Sequence, residues 1–203
     1  MIIYPHGTES VSPLRCNGRL LRGLQQGAAT LQNDEDLNIM LAETIDTHDR
    51  IMALLAGSGA EYRTLDHEPE GRTDLASQIR GHVLSQAAKA MVVAVRSCDN
   101  ERRRFVLAVV PGDRRVSFDA IARAQQGRKA SLASAYEAAN LTGCEMGAVP
   151  PFSFDPKLTL MVDVNLMAEE QIVFNAGRLD RSIFLRSDDY LRLAQPYVDS
   201  IAA

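Results

Sequence analysis

The sequence predicts an α+β fold: a single domain with a mixed, mostly antiparallel, barrel-like β-sheet and surrounding helices. Three observations lead to this prediction. Strand and helix signals follow one another in an irregular order, which is typical of α+β proteins. A chain of 203 residues with 46% hydrophobic content is long enough to bury one core. The sequence also contains no internal repeat and no second domain boundary.

The N-terminal part of the chain differs from the rest. Up to residue 33 it mixes Gly, Ser, Pro, Asn and Gln without a sustained apolar period. We therefore expect residues 1–45 to be a partly disordered or helical extension, and the domain to span 46–203. Apolar residues recur at helical intervals from 34 to 56, although Asp46 and Thr47 could cap a shorter helix that ends at Gly57 or Gly59.

The remaining elements are predicted in order from apolar periodicity and from helix caps. Strands are expected at 61–66, 89–95, 105–110, 158–162, 171–175 and 182–186, with 89–95 and 105–110 forming a hairpin. Helices are expected to begin after the N-caps Thr73, Ser117, Ser134 and Ser187, and to end near Arg80, Gln125, Gly143 and Pro196. Ser134 and Glu137 have the spacing of a capping box.

Composition excludes several classes of function. The three cysteines are widely spaced and the four histidines show no ligand-type pairing, which argues against a disulfide framework and against a metal site. We predict no cofactor. No apolar run is long enough to span a membrane and the start does not resemble a signal peptide, so a cytoplasmic protein without a membrane partner is expected. P-loop, dinucleotide-binding and Gly-x-Ser-x-Gly motifs are absent.

The charge distribution is uneven. The net charge of −4 argues against indiscriminate nucleic-acid binding, yet residues 96–129 contain nine basic and four acidic residues. From residue 130 onward there are five basic and ten acidic residues. The basic segment is either a local binding surface for a phosphate backbone or a set of ordinary solvated strand ends and helix faces.

A loop rich in glycine and proline is expected between the helix that ends at Gly143 and the next strand. Gly147 has no Cβ, so its main chain can approach a ligand closely. Pro150 and Pro151 restrict their own φ angles and the residues before them. The loop is therefore either a rigid ledge of main-chain groups for a small polar ligand or a tight structural turn.

Lys89 begins a strongly apolar strand, where its ammonium could hold a phosphate or carboxylate or could be a solvated strand end. Ser85 lies four residues earlier, but a Ser–Lys dyad requires a helix and Lys89 is already in the strand. Asn175 ends a later strand and could orient a ligand or cap that strand. His67 closes an earlier strand and could point the same way.

Three segments together resemble the YbaK/ProX superfamily, which includes the editing domain inserted in bacterial prolyl-tRNA synthetases. They are Lys89 within residues 87–90, the 147–151 loop that fits the pattern G-x-x-x-P, and Phe174-Asn175-Ala176-Gly177. The resemblance runs from about residue 47 to 201. Longer matches at 132–134, 141–144, 150–154 and 190–196 are most similar to the YeaK branch.

The resemblance implies a trans-acting aminoacyl-tRNA deacylase that uses neither a metal nor a covalent nucleophile. It implies that Lys89 holds the phosphate next to the terminal adenosine and that the Gly147 loop presents main-chain groups to the aminoacyl moiety and the attacking water. Substrate-binding residues are then expected at Ala148, Val149, Pro150, Pro151, Asn175, Gly177 and His67. Expected tRNA contacts are Arg102, Arg103, Arg104, Arg128 and Lys129. The implied partners are an aminoacyl-tRNA and an aminoacyl-tRNA synthetase.

One departure from the family affects the predicted specificity. Several relatives have a histidine shortly after the Phe-Asn-Ala-Gly segment, where this chain has Arg178-Leu179-Asp180. The alanine specificity of those relatives is therefore not transferred. Related branches clear alanine, cysteine, or serine and threonine, and of these Ser- or Thr-charged tRNA is the predicted substrate. A non-catalytic module that binds tRNA or a synthetase, and a hydrolase of small esters or amides, remain as alternatives.

Overall fold

The computed structural model describes residues 46–98 and 102–203. The extension predicted at 1–45 lies outside these residues. The described helices are α1 (Thr47–Ala56), α2 (Thr73–Arg80), α3 (Phe118–Ala124), α4 (Ala135–Thr142) and α5 (Ser187–Ala194). The described strands are β1 (Tyr62–Asp66), β2 (Ala88–Ser97), β3 (Arg103–Pro111), β4 (Gly127–Leu132), β5 (Leu158–Asp163), β6 (Gln171–Asn175), β7 (Arg181–Arg186) and β8 (Tyr197–Asp199).

The strands form a five-stranded sheet of order β4-β2-β3-β5-β8 and a three-stranded sheet of order β1-β7-β6. Within the described residues, four strand pairings are antiparallel, and β3–β5 and β5–β8 are parallel. The predicted β2–β3 hairpin is confirmed, with Lys89 opposite Val110 and Arg96 opposite Arg103. The α+β class and the mixed, mostly antiparallel sheet are therefore confirmed.

The five-stranded sheet is covered on both faces. Successive side chains of a strand point to opposite faces. Val92 and Leu107 accordingly enter one core with residues of α1, α5 and the three-stranded sheet, whereas Val93 and Val106 enter a second core with residues of α3. Because both faces are buried, the two central strands have nearly continuous apolar sequences.

Strand β2 changes its neighbour along its length. Strand β4 pairs with it only from Val93 to Ser97. At the other end, just before β2 begins, Ala87 forms a parallel bridge with Val173 of β6. The two sheets therefore meet beside the first residues of β2.

Three of the predicted helix starts have the expected caps. The side chains of Asp46 and Ser117 accept hydrogen bonds from the third residue beyond each, and Ser134 forms the capping box with Glu137. Gly143 ends α4 in the left-handed conformation, as predicted. The longest of these helices has 10 residues, and none in the described ranges is long and apolar enough to cross a membrane.

Two predicted caps and two strands need correction. Thr73 and Ser187 are the first residues of their helices rather than N-caps, and no side chain caps either helix. The Ser187 hydroxyl donates instead to the carbonyl oxygen of Glu169 at 2.6 Å, which the sequence does not reveal. Strands β4 and β8 were not predicted, because both lie at sheet edges and are largely exposed, so they lack an alternating apolar pattern.

Candidate active site at the junction of the two sheets

A cavity of about 200 Å³ lies where the two sheets meet. Its walls come from the start of β2, from α2, from the end of β6, and from the loops around residues 71 and 147. Four of the predicted site residues line it, namely Lys89, Gly147, Val149 and Asn175. The fold thus brings together the three segments that carry the family resemblance.

Lys89 lies at the edge of this cavity and is partly buried. Its Nζ donates to the carbonyl oxygen of Gly112 at 3.3 Å and to that of Arg114, both in the turn after β3. Burial lowers the pKa of Lys89, while Asp113 raises it and Arg115 lowers it further. No described carboxylate lies within ion-pair distance of the ammonium.

The structure gives Gly147 a reason to be glycine that the sequence does not reveal. Its φ angle is +91°, and a Cβ at this position would lie 2.6 Å from the Cα and 2.8 Å from the carbonyl oxygen of Gly71. Two main-chain segments therefore touch here, which leaves no room for a side chain.

The amide of Asn175 joins these two segments to β6. Its Nδ2 donates to the carbonyl oxygens of Gly147 at 2.8 Å and Glu70 at 3.1 Å. Its Oδ1 accepts from Ser182 Oγ at 3.2 Å and from a guanidinium nitrogen of Arg80. Both donors and both acceptor positions of the amide are thus used within the protein.

Arg80, at the end of α2, was not predicted as a site residue. It lines the cavity although it is only 8% exposed. Burial lowers the pKa of Arg80 to about 10, against the opposing influence of Glu70. No described carboxylate forms an ion pair with it, and its buried Nε has no hydrogen-bond partner among the described residues. A basic residue in the last turn of a helix is common, so the sequence contains no signal for this role.

The other predicted site residues lie behind the cavity wall. Ala148, Pro150 and Pro151 are buried and do not line the cavity. Tyr190, which is fully buried, donates from its hydroxyl to the carbonyl oxygen of Pro151 at 2.7 Å. Gly177 donates from its N–H to the carbonyl oxygen of Ala148 at 3.2 Å.

His67 is one step removed from the cavity. Its Nδ1 is 2.7 Å from the carbonyl oxygen of Glu68, and its Nε2 is 2.6 Å from Ser182 Oγ. His67 therefore contacts Asn175 indirectly, through Ser182.

The cavity wall lacks the usual catalytic side chains. Among the described residues that line it there is no Ser, Cys, His, Asp or Glu. Thr73 supplies the only side-chain hydroxyl of this lining, and no described protein group hydrogen-bonds it. The described residues also contain no cluster of three or more His, Cys, Asp and Glu that could hold a metal ion.

The predicted tRNA contacts lie at the other end of β2. Arg96 is directly opposite Arg103 on one side and Lys129 on the other, so three cations stand side by side across three strands; we call these three residues the basic row. Together with Arg128 they line one hollow, and Arg102, Arg103 and Arg104 line an adjacent one. All of these side chains are exposed.

Only one member of the basic row has an acidic partner within the described residues. Arg103 forms an ion pair with Glu137 at 2.6 Å and lies over the ring of Phe105. Like charges placed directly opposite on neighbouring strands are destabilising. The fold therefore retains an unfavourable arrangement of charge on this surface.

Comparison with known proteins identifies the family. Residues 67–193 match the model of the aminoacyl-tRNA editing domain. The chain belongs to the aminoacyl-tRNA editing domain family. It is 46% identical over 151 residues to the multifunctional Ser/Thr-tRNA deacylase ProXp-y of Escherichia coli K12 and of E. coli O157:H7, which covers 74% of this chain and 89% of each relative. The predicted family is thereby confirmed.

Solved structures show the same fold. A hypothetical protein, APE2540, matches with a TM-score of 0.68 at 21% identity over 76% of this chain and 99% of its own. A candidate trans-editing enzyme for prolyl tRNA synthetase matches with a TM-score of 0.65 at 20% identity over 77% of this chain and 97% of its own. At these identities the likeness concerns the fold alone.

Proposed function

We propose that residues 46–203 form a trans-acting aminoacyl-tRNA deacylase that hydrolyses the ester of Ser- or Thr-charged tRNA. One observation carries the proposal: the cavity combines a lysine that has no carboxylate partner among the described residues with the touching main chains of Gly71 and Gly147, here called the Gly147 ledge, and its described lining has no conventional nucleophile or base. The activity of the 46% identical relative supports the substrate class.

In this proposal Lys89 anchors the phosphate next to the terminal adenosine. A lysine ammonium is a compact charge with three donors, and burial strengthens its attraction for an anion. On binding, the phosphate takes the place of one of the carbonyl oxygens of Gly112 and Arg114. The substrate ester is thereby fixed in the cavity against the Gly147 ledge.

Hydrolysis then depends on positioning and on the substrate itself. The main-chain groups of the Gly147 loop orient the aminoacyl carbonyl and the attacking water. The ribose hydroxyl beside the ester assists the transfer of the proton, because the described wall provides no base. Asn175 takes part by holding the ledge in place, and Val149 faces the aminoacyl group.

The preference for Ser and Thr is attributed to Thr73. Its hydroxyl is the one side-chain hydroxyl of the described lining, and no described protein group hydrogen-bonds it. It suits the hydroxyl of a seryl or threonyl group. An alanyl group would leave it without a partner, which costs binding energy.

The surface around the basic row is proposed to bind the tRNA backbone. Arg96 lies seven residues after Lys89 along β2, a distance of about 24 Å. That distance corresponds to roughly seven nucleotide steps of a stacked strand. A tRNA whose 3′ end enters the cavity therefore has phosphates within reach of Arg102, Arg103, Arg104, Arg128 and Lys129. A cytoplasmic location and a synthetase that releases the substrate complete the proposal.

A panel of mischarged tRNAs tests this function. Catalytic amounts of the protein are mixed with Ser-, Thr-, Ala- and Cys-charged tRNA, and ester loss is followed at two salt concentrations. We expect multiple turnovers with Ser- and Thr-tRNA and slower reaction at high salt. Binding without turnover would favour the non-catalytic module, and turnover without salt dependence would favour a hydrolase of small esters.

A further inference from the structure

We infer that Arg80 is a positioning residue of the active site, which acts through the amide of Asn175 on the two loops that form one wall of the cavity. The inference deepens the proposed function, and its kinetic test rests on that function. Hydrogen exchange in the two loops tests the positioning role without relying on that function.

The buried position of Arg80 is energetically costly. It is 8% exposed, remains positively charged at neutral pH, and has no ion pair with a described residue. Burying a cation in this way is unfavourable, and an apolar side chain of similar size would usually stabilise the fold more. Stability alone therefore does not explain an arginine here.

Arg80 determines which way the Asn175 amide is turned. A guanidinium can only donate hydrogen bonds, so the group that faces Arg80 must be the amide oxygen. Ser182 donates to the same oxygen at 3.2 Å. The amide nitrogen is consequently turned to the opposite side, where the carbonyl oxygens of Gly147 and Glu70 accept from it.

The Asn175 amide holds two loops together. Gly71 and Gly147 touch through their main chains, and neither has a side chain that could interlock with the other loop. The two hydrogen bonds from Asn175 join both loops to β6. If the amide turned over, its oxygen would face two carbonyl oxygens and the loops would separate. Arg80 prevents this by fixing the oxygen.

The kinetic test uses Arg80→Met, Asn175→Leu and the double variant on Ser-tRNA. Arg123→Met is the matched control, since Arg123 is also in the last turn of its helix but is exposed and outside the cavity. We expect each single variant to lower kcat by about tenfold or more with KM changed less than about threefold. The double variant should be no slower than the slower single variant, because both substitutions disrupt the same Arg80–Asn175 interaction.

Hydrogen exchange provides a test that needs no activity. Residues 68–72 and 145–149 should exchange faster in Arg80→Met than in the wild type and in Arg123→Met. Arg80→Lys should restore part of the protection, since an ammonium can still donate to the amide oxygen. This variant also keeps the test valid if Arg80→Met does not fold.

The outcomes separate the two proposals. Unchanged exchange in both loops, or multiplicative losses of kcat in the double variant, would overturn the role of Arg80. A wild-type protein that deacylates no tRNA while Arg80→Met loosens both loops would instead refute the proposed function and leave the positioning role supported.

Discussion

The two ends of the β2–β3 hairpin are built differently, in line with the different kinds of recognition that we propose for them. At the Lys89 end the wall combines two glycines, small and apolar side chains, one threonine and one fully bonded amide, and its two cations are partly or largely buried. At the Arg96 end, cations stand side by side and exposed. Positioning a reacting group requires contacts from distant parts of the chain, whereas attracting a phosphate backbone requires only charge. We therefore expect variants at the two ends to differ in which kinetic constant they change.

Lys89→Met should have the largest effect, a loss of kcat/KM well above tenfold, because no other described cation with an exposed or partly exposed charge lines the cavity. A tenfold loss corresponds to about 1.4 kcal/mol of transition-state stabilisation. Deacylation of Ser-tRNA measures it, with Lys157→Met as the control at an exposed lysine outside the cavity. If Lys89→Met retained more than about a tenth of the wild-type deacylation rate, Lys89 would not be the phosphate anchor. Lys89→Arg should recover only part of the wild-type rate, since the planar guanidinium does not replace the compact charge of an ammonium.

Gly147→Ala should lower kcat by about tenfold and destabilise the fold by about 1–3 kcal/mol, because the new methyl group would collide with the main chain of Gly71. Gly59→Ala is the matched control. Gly59 also has a positive φ angle, +68°, but nothing lies within 4 Å of the position of its Cβ. Equal losses of stability in the two variants, measured by urea unfolding, would show that backbone strain alone acts at Gly147.

Arg96→Gln should act in opposite directions on stability and on binding. Removing the middle cation of the basic row relieves two like-charge contacts and should stabilise the fold by a few tenths of a kcal/mol. It should also raise KM for aminoacyl-tRNA several-fold and reduce the salt dependence, with kcat unchanged. Arg102, Arg103 and Arg104 replaced together by Gln should show the same kinetic pattern more strongly. Lower kcat at unchanged KM would mean that this end of the hairpin does not bind tRNA.

Thr73→Val should alter specificity only. Valine keeps the shape of threonine and removes the hydroxyl, so Ser-tRNA should lose about three- to tenfold in kcat/KM while Ala-tRNA changes little. Thr73→Ser, which keeps the hydroxyl, should retain the preference. Parallel losses on both tRNAs would show that Thr73 supports the wall without contacting the aminoacyl group.

Local signals in the sequence were enough for most of the fold. The cap at Ser117, the capping box at Ser134 and the apolar run of β2 each depend on neighbouring residues, and each is confirmed. Strand β8 was not predictable, because its three exposed residues have no pattern until β5 pairs with them.

The site was predictable only in part, for a related reason. Lys89 and Gly147 belong to segments with recognisable motifs. The role of Arg80 depends on an amide 95 residues away, and the reason for the glycine at 147 lies in the main chain of Gly71. Such contacts form only in the folded chain, so no local sequence pattern predicts them.

The hydrogen bond from Tyr190 to Pro151 affects when a newly synthesised chain becomes active. The two residues are 39 positions apart, and the loop is made first. At a synthesis rate of about 5–20 residues per second, the anchor follows the loop by roughly 2–8 s. During that interval the loop that contains Gly147 and Pro151 lacks its hydrogen bond from Tyr190. A nascent chain that has not yet reached residue 190 is therefore expected to be inactive, so the proposed deacylase begins to act only after the ribosome has passed this point.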